Sequence, residues 1–187
     1  MLSYANGKYV LSDELSLPVL QDPVGTFRGF RIFTAARTIG SKVFRLEDHI
    51  DRLFNSAEKV HMPLPHSKDE LQAIIQETIE KNSDREGDLL LEIIYSGGMA
   101  GETRLNTAGS AVLYILVIPL KTPPVEWYEK GIKLASFAYQ RQWPEIKLLS
   151  YVAGVIAHQT VVKEHQAQEA LFISPDEKKT VFGRHYI

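Results

Sequence analysis

The sequence contains no cysteine, and this absence excludes several kinds of chemistry at once. Disulfide bonds, thiolate zinc sites and a cysteine nucleophile all require a thiol group. Long apolar runs are also missing, since no stretch approaches the roughly 18 apolar residues of a membrane span. The N-terminus, MLSYANGKYV, lacks the basic flank and apolar run of a signal peptide. We therefore expect a soluble, cytoplasmic protein.

Blocks of like charge are absent as well. The 21 basic and 23 acidic residues are interspersed and give a formal net charge of -2. A nucleic-acid-binding protein or a membrane-surface protein usually carries a basic stripe or patch. The six histidines show no metal-binding spacing, and the chain has no P-loop and no nucleophile elbow. We expect no nucleic-acid, membrane or metal partner, although a serine triad depends on geometry and stays open.

The 187 residues that are present, 44% of them hydrophobic, are sufficient for a packed core. Asn6-Gly7 tolerates positive φ and predicts a hairpin over residues 2–10. Strands are predicted at Phe30–Thr38, Leu89–Tyr95, Ala111–Ile118, Ile132–Tyr139, Ala170–Ile173 and Thr180–Phe182, with a turn at Asp176–Lys179.

Three helices are predicted from apolar spacing and capping signals. Apolar residues recur every three or four positions over Leu46–Val60. Ser67 followed by Glu70 is a capping-box pattern, which predicts a helix over Lys68–Glu80. A third helix is predicted over Leu149–Glu164.

The paired prolines of Lys121–Pro124 predict a stiff linker. The expected fold class is α+β. Residues 1–120 should form an α/β sandwich domain, a mainly antiparallel sheet with two helices packed on one face. After the linker at 121–124, residues 125–187 are expected to form the first part of a second, barrel-like α/β domain.

Lys147 is the first candidate for chemistry. It lies between a proline-marked loop and a predicted apolar helix, in the segment Trp143–Tyr151. Aliphatic neighbours on both sides favour desolvation, which disfavours the ammonium and leaves the amine more nucleophilic. The alternative is a surface lysine whose stem covers apolar residues while its head stays in water.

Arg52 is the second candidate, because His49 and Arg52 are three residues apart and share a helix face. The planar guanidinium of an arginine held on a helix is suited to bind a phosphate. The alternative is an ion pair with Asp48 on a solvated face.

Taken together, three segments resemble motifs of the class IV aminotransferase family. Phe27–Arg37 is similar to the family's glycine, aromatic and arginine strand. Leu46–Leu53 is similar to its acidic-histidine-x-x-arginine-leucine helix, and Glu145–Tyr151 to its lysine segment, with Ser150 where asparagine is frequent. The matching positions are Gly29, Phe33, Arg37, Asp48, His49, Arg52, Leu53, Lys147 and Tyr151.

The resemblance implies a pyridoxal-phosphate-dependent aminotransferase or aminodeoxychorismate lyase that acts on an amino acid or a similar substrate, usually as a homodimer. Lys147 would form the Schiff base and act as the catalytic residue. Arg52 would bind the phosphate, Tyr151 would lie near the cofactor's phenolic oxygen, and Phe33 would line the substrate side.

The departures from the family pattern suggest an alternative. The family's glutamate partner of the pyridine nitrogen has no counterpart at Thr180-Val181-Phe182-Gly183, and Thr34 replaces a common glutamate. Family members are also longer. We therefore expect weak cofactor binding and slow turnover, and the alternative function is a catalytically silent, truncated homologue that only self-associates.

Overall fold

The computed structural model describes residues 1–174 and the backbone of residues 180–182. The chain divides into two units. We call Met1–Leu120 together with Glu145–Leu149 the N-terminal unit, and the described residues of Lys121–Pro144 and from Ser150 onward the C-terminal unit. Both units contain helices and strands, which confirms the predicted α+β class.

The N-terminal unit is built on an antiparallel sheet whose strands are β1 (Leu2–Ala5), β2 (Lys8–Leu11), β3 (Arg31–Ile39), β4 (Lys42–Val43), β5 (Leu89–Ser96) and β6 (Val112–Pro119). Their order across the sheet is β2-β1-β6-β5-β3-β4. The predicted hairpin forms at Asn6 and Gly7, whose φ angles of 45° and 89° are the positive values that such a turn needs. The short β4 was not predicted.

Three helices belong to this unit: α1 (Pro23–Arg28), α2 (Leu46–Lys59) and α3 (Lys68–Glu80). The last begins at the predicted capping box, in which the Ser67 side chain and the Glu70 side chain bond each other's backbone N–H groups. Helix α1 was not predicted, although its signal is present. Asp22 caps it and Pro23 occupies its first turn, where proline is favoured.

The core of this unit lies between one face of the sheet and the apolar faces of α2 and α3. Alternate residues of β5, among them Leu91 and Ile93, are fully buried against helix residues such as Leu53 and Ile75. Each such side chain contributes about 1.5–3 kcal/mol on burial. The predicted packing of both helices on one sheet face is thereby confirmed.

The C-terminal unit contains β7 (Leu134–Ala138), β8 (Glu169–Ile173) and β9 (Thr180–Phe182), preceded by the unpredicted helix α4 (Val125–Lys130). Strands β7 and β8 pair in parallel, so the chain between them must cross over, and α5 (Val152–Ala157) with its π-helical continuation His158–Val162 lies in that crossover. Within residues 1–174 and 180–182, no helix is long and apolar enough to cross a bilayer.

Two details differ from the sequence-based expectation. The helix predicted over Leu149–Glu164 begins only at Val152, because Leu149 donates its N–H to a strand carbonyl. Glu145–Leu149 packs with the N-terminal unit, whereas the predicted division placed it in the domain 125–187. The domain division itself, with its linker at 121–124, stays a prediction. The turn predicted at Asp176–Lys179 lies outside the described residues.

Candidate active site

The backbone of Lys147 lies along the edge of β3. Phe33 donates its N–H to the Lys147 carbonyl at 3.0 Å, and Leu149 donates its N–H to the Arg31 carbonyl at 2.9 Å. Between these two bonds, Leu148 forms a bridge with Ile32. The segment that carries Lys147 therefore behaves as a short extra strand, and sheet hydrogen bonds fix the point from which the lysine side chain leaves the backbone.

A serine of helix α2 also binds the backbone of Lys147. The Lys147 N–H donates to the Ser56 hydroxyl at 3.1 Å, and Ser56 is buried. The lysine side chain is half-buried, and its Nζ lies 4.8 Å from the ring centroid of the buried Phe33. Contact with the ring face stabilises an ammonium by roughly 0.5–1 kcal/mol at an accessible position. Phe33 and Lys147, matched independently by their motifs, are thus direct neighbours.

Arg52 lies on the α2 face that carries Ser56, since residues four apart on a helix are neighbours. Its Nη2 donates to the Thr34 hydroxyl and lies 3.1 Å from Nδ1 of His49. Thr34 follows Phe33 in β3. Arg52, Thr34 and His49 therefore form one hydrogen-bonded cluster between β3 and α2, and Ser56, about one helical turn further along α2, contacts the Lys147 backbone.

The alternative pairing of Arg52 with Asp48 stays a prediction. Asp48 pairs with Arg45, whose Nε donates to the carboxylate. Both side chains are mostly exposed, so the pair contributes little to stability. The described contact of Asp48 is therefore with Arg45, at the start of α2.

His49 contacts both Thr34 and Arg52, and its protonation state depends on this environment. Burial, and secondly the positive charge of Arg52, lower the pKa of His49 from 6.5 to about 4. The imidazole is therefore neutral at pH 7 and can accept a hydrogen bond there. A neutral acceptor beside Arg52 orients the guanidinium without cancelling its positive charge.

This lowered pKa predicts a pH-dependent stability. Between pH 6.5 and about 4 the unfolded chain protonates His49 while the folded chain does not. The contribution of His49 to the free energy of unfolding is therefore complete above pH 6.5 and decreases as the pH falls towards 4. Urea unfolding followed by circular dichroism at several pH values measures the free energy of unfolding. As the pH falls from 6.5 towards 4, this free energy should decrease more steeply for wild type than for His49→Asn, which does not titrate. Equal slopes would contradict the assignment.

The chemistry of these donors fits a phosphorylated aldehyde such as pyridoxal phosphate. A lysine amine is the natural nucleophile for an aldehyde carbon. A guanidinium binds phosphate oxygens through charge-assisted hydrogen bonds. Lys147 and Arg52 supply one of each, and both are anchored on β3 and α2, Lys147 through its backbone and Arg52 through its side chain.

Tyr151 belongs to the C-terminal unit, where it occupies the cap position of α5 and is partly exposed. Its role near the cofactor stays a prediction. In the same unit, the buried carboxylate of Glu169 lies 3.2 Å from Nε2 of His158 and opens β8.

The comparison with family models identifies the protein class. The model described as "Amino-transferase class IV" matches residues 31–181, so this chain belongs to the class IV aminotransferase family. It is similar to a putative branched-chain-amino-acid aminotransferase of Methanocaldococcus jannaschii, with 30% identity over 84% of this chain and 54% of that protein. The branched-chain-amino-acid aminotransferase of Pseudomonas aeruginosa is 25% identical over 82% of this chain and 50% of its own length.

A shorter match, 32% identical over 35% of this chain and 22% of the other protein, is with D-alanine aminotransferase of Listeria monocytogenes. The chain thus spans about half the length of the longer-matching relatives, 54% and 50%.

Solved structures show the same fold. The branched-chain aminotransferase of Thermoproteus uzoniensis, solved with norvaline, superposes with a TM-score of 0.77 at 24% identity, covering 94% of this chain and 60% of that one. A second branched-chain amino acid aminotransferase, from T.th. and solved with pyridoxamine 5'-phosphate, gives a TM-score of 0.76 at 23% identity, with the same coverage.

Two residues that contact Lys147 or Arg52 were missed from the sequence, Ser56 and Thr34. Ser56 lies four residues after Arg52, and this spacing could have placed it on the same helix face. Thr34 was noted only as a departure from the family pattern, yet its hydroxyl contacts both Arg52 and His49. A hydroxyl at a strand position carries no sequence signal of its own, because its partners come from a helix.

Proposed function

We propose that the protein to which this chain belongs is a pyridoxal-phosphate-dependent aminotransferase acting on an amino acid, with Lys147 as its catalytic residue. The observation that supports this most directly is that residues matched from three separate motifs are anchored on the same strand and helix. Lys147 contacts Phe33 of β3 and Ser56 of α2, while Arg52 of α2 contacts Thr34 of β3. Branched-chain and D-amino acids are the proposed substrate classes, because the relatives are named for them.

When bound, pyridoxal phosphate supplies an electron sink for negative charge at the substrate's α-carbon. Lys147 would provide the amine that holds the cofactor, and its Nζ would move the proton at that carbon. Arg52 neutralises part of the phosphate charge. Phe33 covers one side of the lysine amine with an apolar ring and excludes water from it. Tyr151 is the proposed neighbour of the phenolic oxygen.

The test is a titration of the purified chain with pyridoxal phosphate, followed by visible absorbance. We expect a saturable yellow species that bleaches when an amino donor is added, with branched-chain amino acids and D-alanine compared. Binding should be weaker than micromolar, since the segment Thr180–Gly183 offers no carboxylate to the pyridine nitrogen. A chain that stays colourless at saturating cofactor would refute the function.

The lyase reaction is the second candidate within this family, because the same lysine serves both reactions. Cleavage of aminodeoxychorismate without transfer of its amino group would favour the lyase reaction. The catalytically silent homologue predicts a colourless protein that still self-associates.

We also propose that the chain forms a homodimer. The N-terminal unit exposes several large apolar side chains, including Leu20, Phe27 and Leu105, which favour association when they are contiguous. Light scattering of the same preparation should give twice the mass of one chain, and a monomer at micromolar concentration would argue against it.

A further inference from the structure

The hydrogen bonds around Thr34 determine where its single hydroxyl proton points. A guanidinium has only donors, so the contact between Arg52 Nη2 and the Thr34 hydroxyl makes the threonine oxygen the acceptor. Thr34 is fully buried, and its own proton needs a partner inside the protein. Nδ1 of His49 lies 2.8 Å from the Thr34 oxygen and can accept that proton.

The same logic assigns the tautomer of His49. Arg52 Nη2 lies 3.1 Å from Nδ1 of His49, and a guanidinium can only donate to that nitrogen. Both contacts of Nδ1 therefore require a lone pair on it. The ring proton of the neutral imidazole must then lie on Nε2.

We propose that Thr34 and His49 are positioning residues that hold the Arg52 guanidinium ready for an anionic phosphate, which rests on the proposed cofactor role of Arg52. The arrangement is a directed relay in which Arg52 Nη2 donates to Thr34 Oγ1 and Thr34 Oγ1 donates to His49 Nδ1. An unrestrained arginine loses much rotamer freedom when it binds a ligand. The relay removes that freedom in advance, so binding is stronger.

Thr34 and His49 are both uncharged, which preserves the positive charge of Arg52. Neither the Thr34 hydroxyl nor a neutral His49 opposes the positive charge of Arg52. A carboxylate at position 34 would orient the guanidinium equally well, but it would compete with the phosphate for it. Thr34 and His49 thus act as a neutral support, which leaves the charge of Arg52 directed towards the ligand.

The first experiment compares the dissociation constants of pyridoxal phosphate and of pyridoxal, which lacks the phosphate. Thr34→Val removes the hydroxyl at nearly constant volume and should weaken pyridoxal phosphate binding about tenfold, the effect of one hydrogen bond. Pyridoxal binding should stay unchanged. Thr34→Ser keeps the hydroxyl and His49→Asn keeps an acceptor oxygen, so both variants should retain most of the affinity.

Two outcomes would overturn the proposal. In the first, Thr34→Val binds pyridoxal phosphate as tightly as wild type does. In the second, the variant loses affinity for pyridoxal to the same extent as for pyridoxal phosphate, which indicates a general structural defect. Circular dichroism of each variant establishes that it is folded.

The second experiment needs no cofactor. The nitrogen-15 chemical shifts of the imidazole, assigned with His49→Asn, should show a neutral ring protonated on Nε2 at pH 7. A proton on Nδ1 would overturn the relay. If wild type binds no pyridoxal phosphate, the proposed function and the ligand role of the relay fail together, while an Nε2–H imidazole would still support the relay's geometry.

Discussion

Replacing Lys147 by alanine should abolish covalent attachment of pyridoxal phosphate completely. In wild type, borohydride reduction should fix the cofactor to this lysine and give a stable, mass-shifted peptide. The structure supports this choice because hydrogen bonds with Ser56 and Phe33 hold the Lys147 backbone in place, and the amine lies over an apolar ring. Removing the amine removes the nucleophile, so no partial labelling should remain. Peptide mass spectrometry after reduction measures the result.

Two variants control this prediction. Lys59→Ala removes an exposed lysine from α2 and should leave the label unchanged. Lys147→Arg keeps a positive charge at the site but offers no nucleophilic amine, and it should bind the cofactor without retaining the label. Label on another lysine with Lys147 unmodified would refute the assignment.

Replacing Asp22 by alanine should lower the free energy of unfolding by about 3–5 kcal/mol. A loss of this size is expected when one partner of a buried ion pair is removed. The carboxylate is fully buried. It accepts hydrogen bonds from the N–H of Gly25 at 3.2 Å, the N–H of Gly98 at 2.7 Å and the Ser96 hydroxyl at 2.5 Å. It also lies 3.5 Å from the guanidinium of Arg31. Alanine would leave the N–H groups of Gly25 and Gly98 and the Ser96 hydroxyl without this acceptor, and Arg31 without its counter-charge.

Urea unfolding followed by circular dichroism measures this effect. Asp13→Ala is the matched control, since Asp13 is exposed and its loss should change the free energy of unfolding by less than about 0.5 kcal/mol. Asp22→Asn should fall between the two, because an amide keeps one acceptor oxygen but not the charge. A loss below about 1 kcal/mol for Asp22→Ala would show that the network contributes little.

The hydrogen-bond network around Asp22 also requires a glycine at position 25. A Cβ atom at position 25 would lie 1.9 Å from the Ser96 hydroxyl and 2.5 Å from Asp22. A Cβ atom so close would displace the Ser96 and Asp22 side chains from their hydrogen bonds, so glycine is required where α1 approaches the end of β5. The network therefore ties the unpredicted helix α1 to the sheet that carries Phe33 and Thr34.

The sequence by itself determined those elements whose signals are local. The periodicity of α2, the Ser67 capping box of α3 and the Asn6-Gly7 turn depend on neighbours within a few residues, and all three are confirmed. Family membership was also predictable, because the three motifs occur in the expected order. The site roles of Lys147, Arg52, Phe33 and Tyr151 remain predictions.

Only the tertiary structure decided how distant segments meet. Leu149 was predicted to begin a helix, but the edge of β3 offers the segment Glu145–Leu149 strand hydrogen bonds instead. The relay of Thr34, His49 and Arg52 joins a strand to a helix, as the Asp22 network joins a cap to a strand end. Such contacts depend on burial and on partners far away in the chain, and neither is encoded in local spacing.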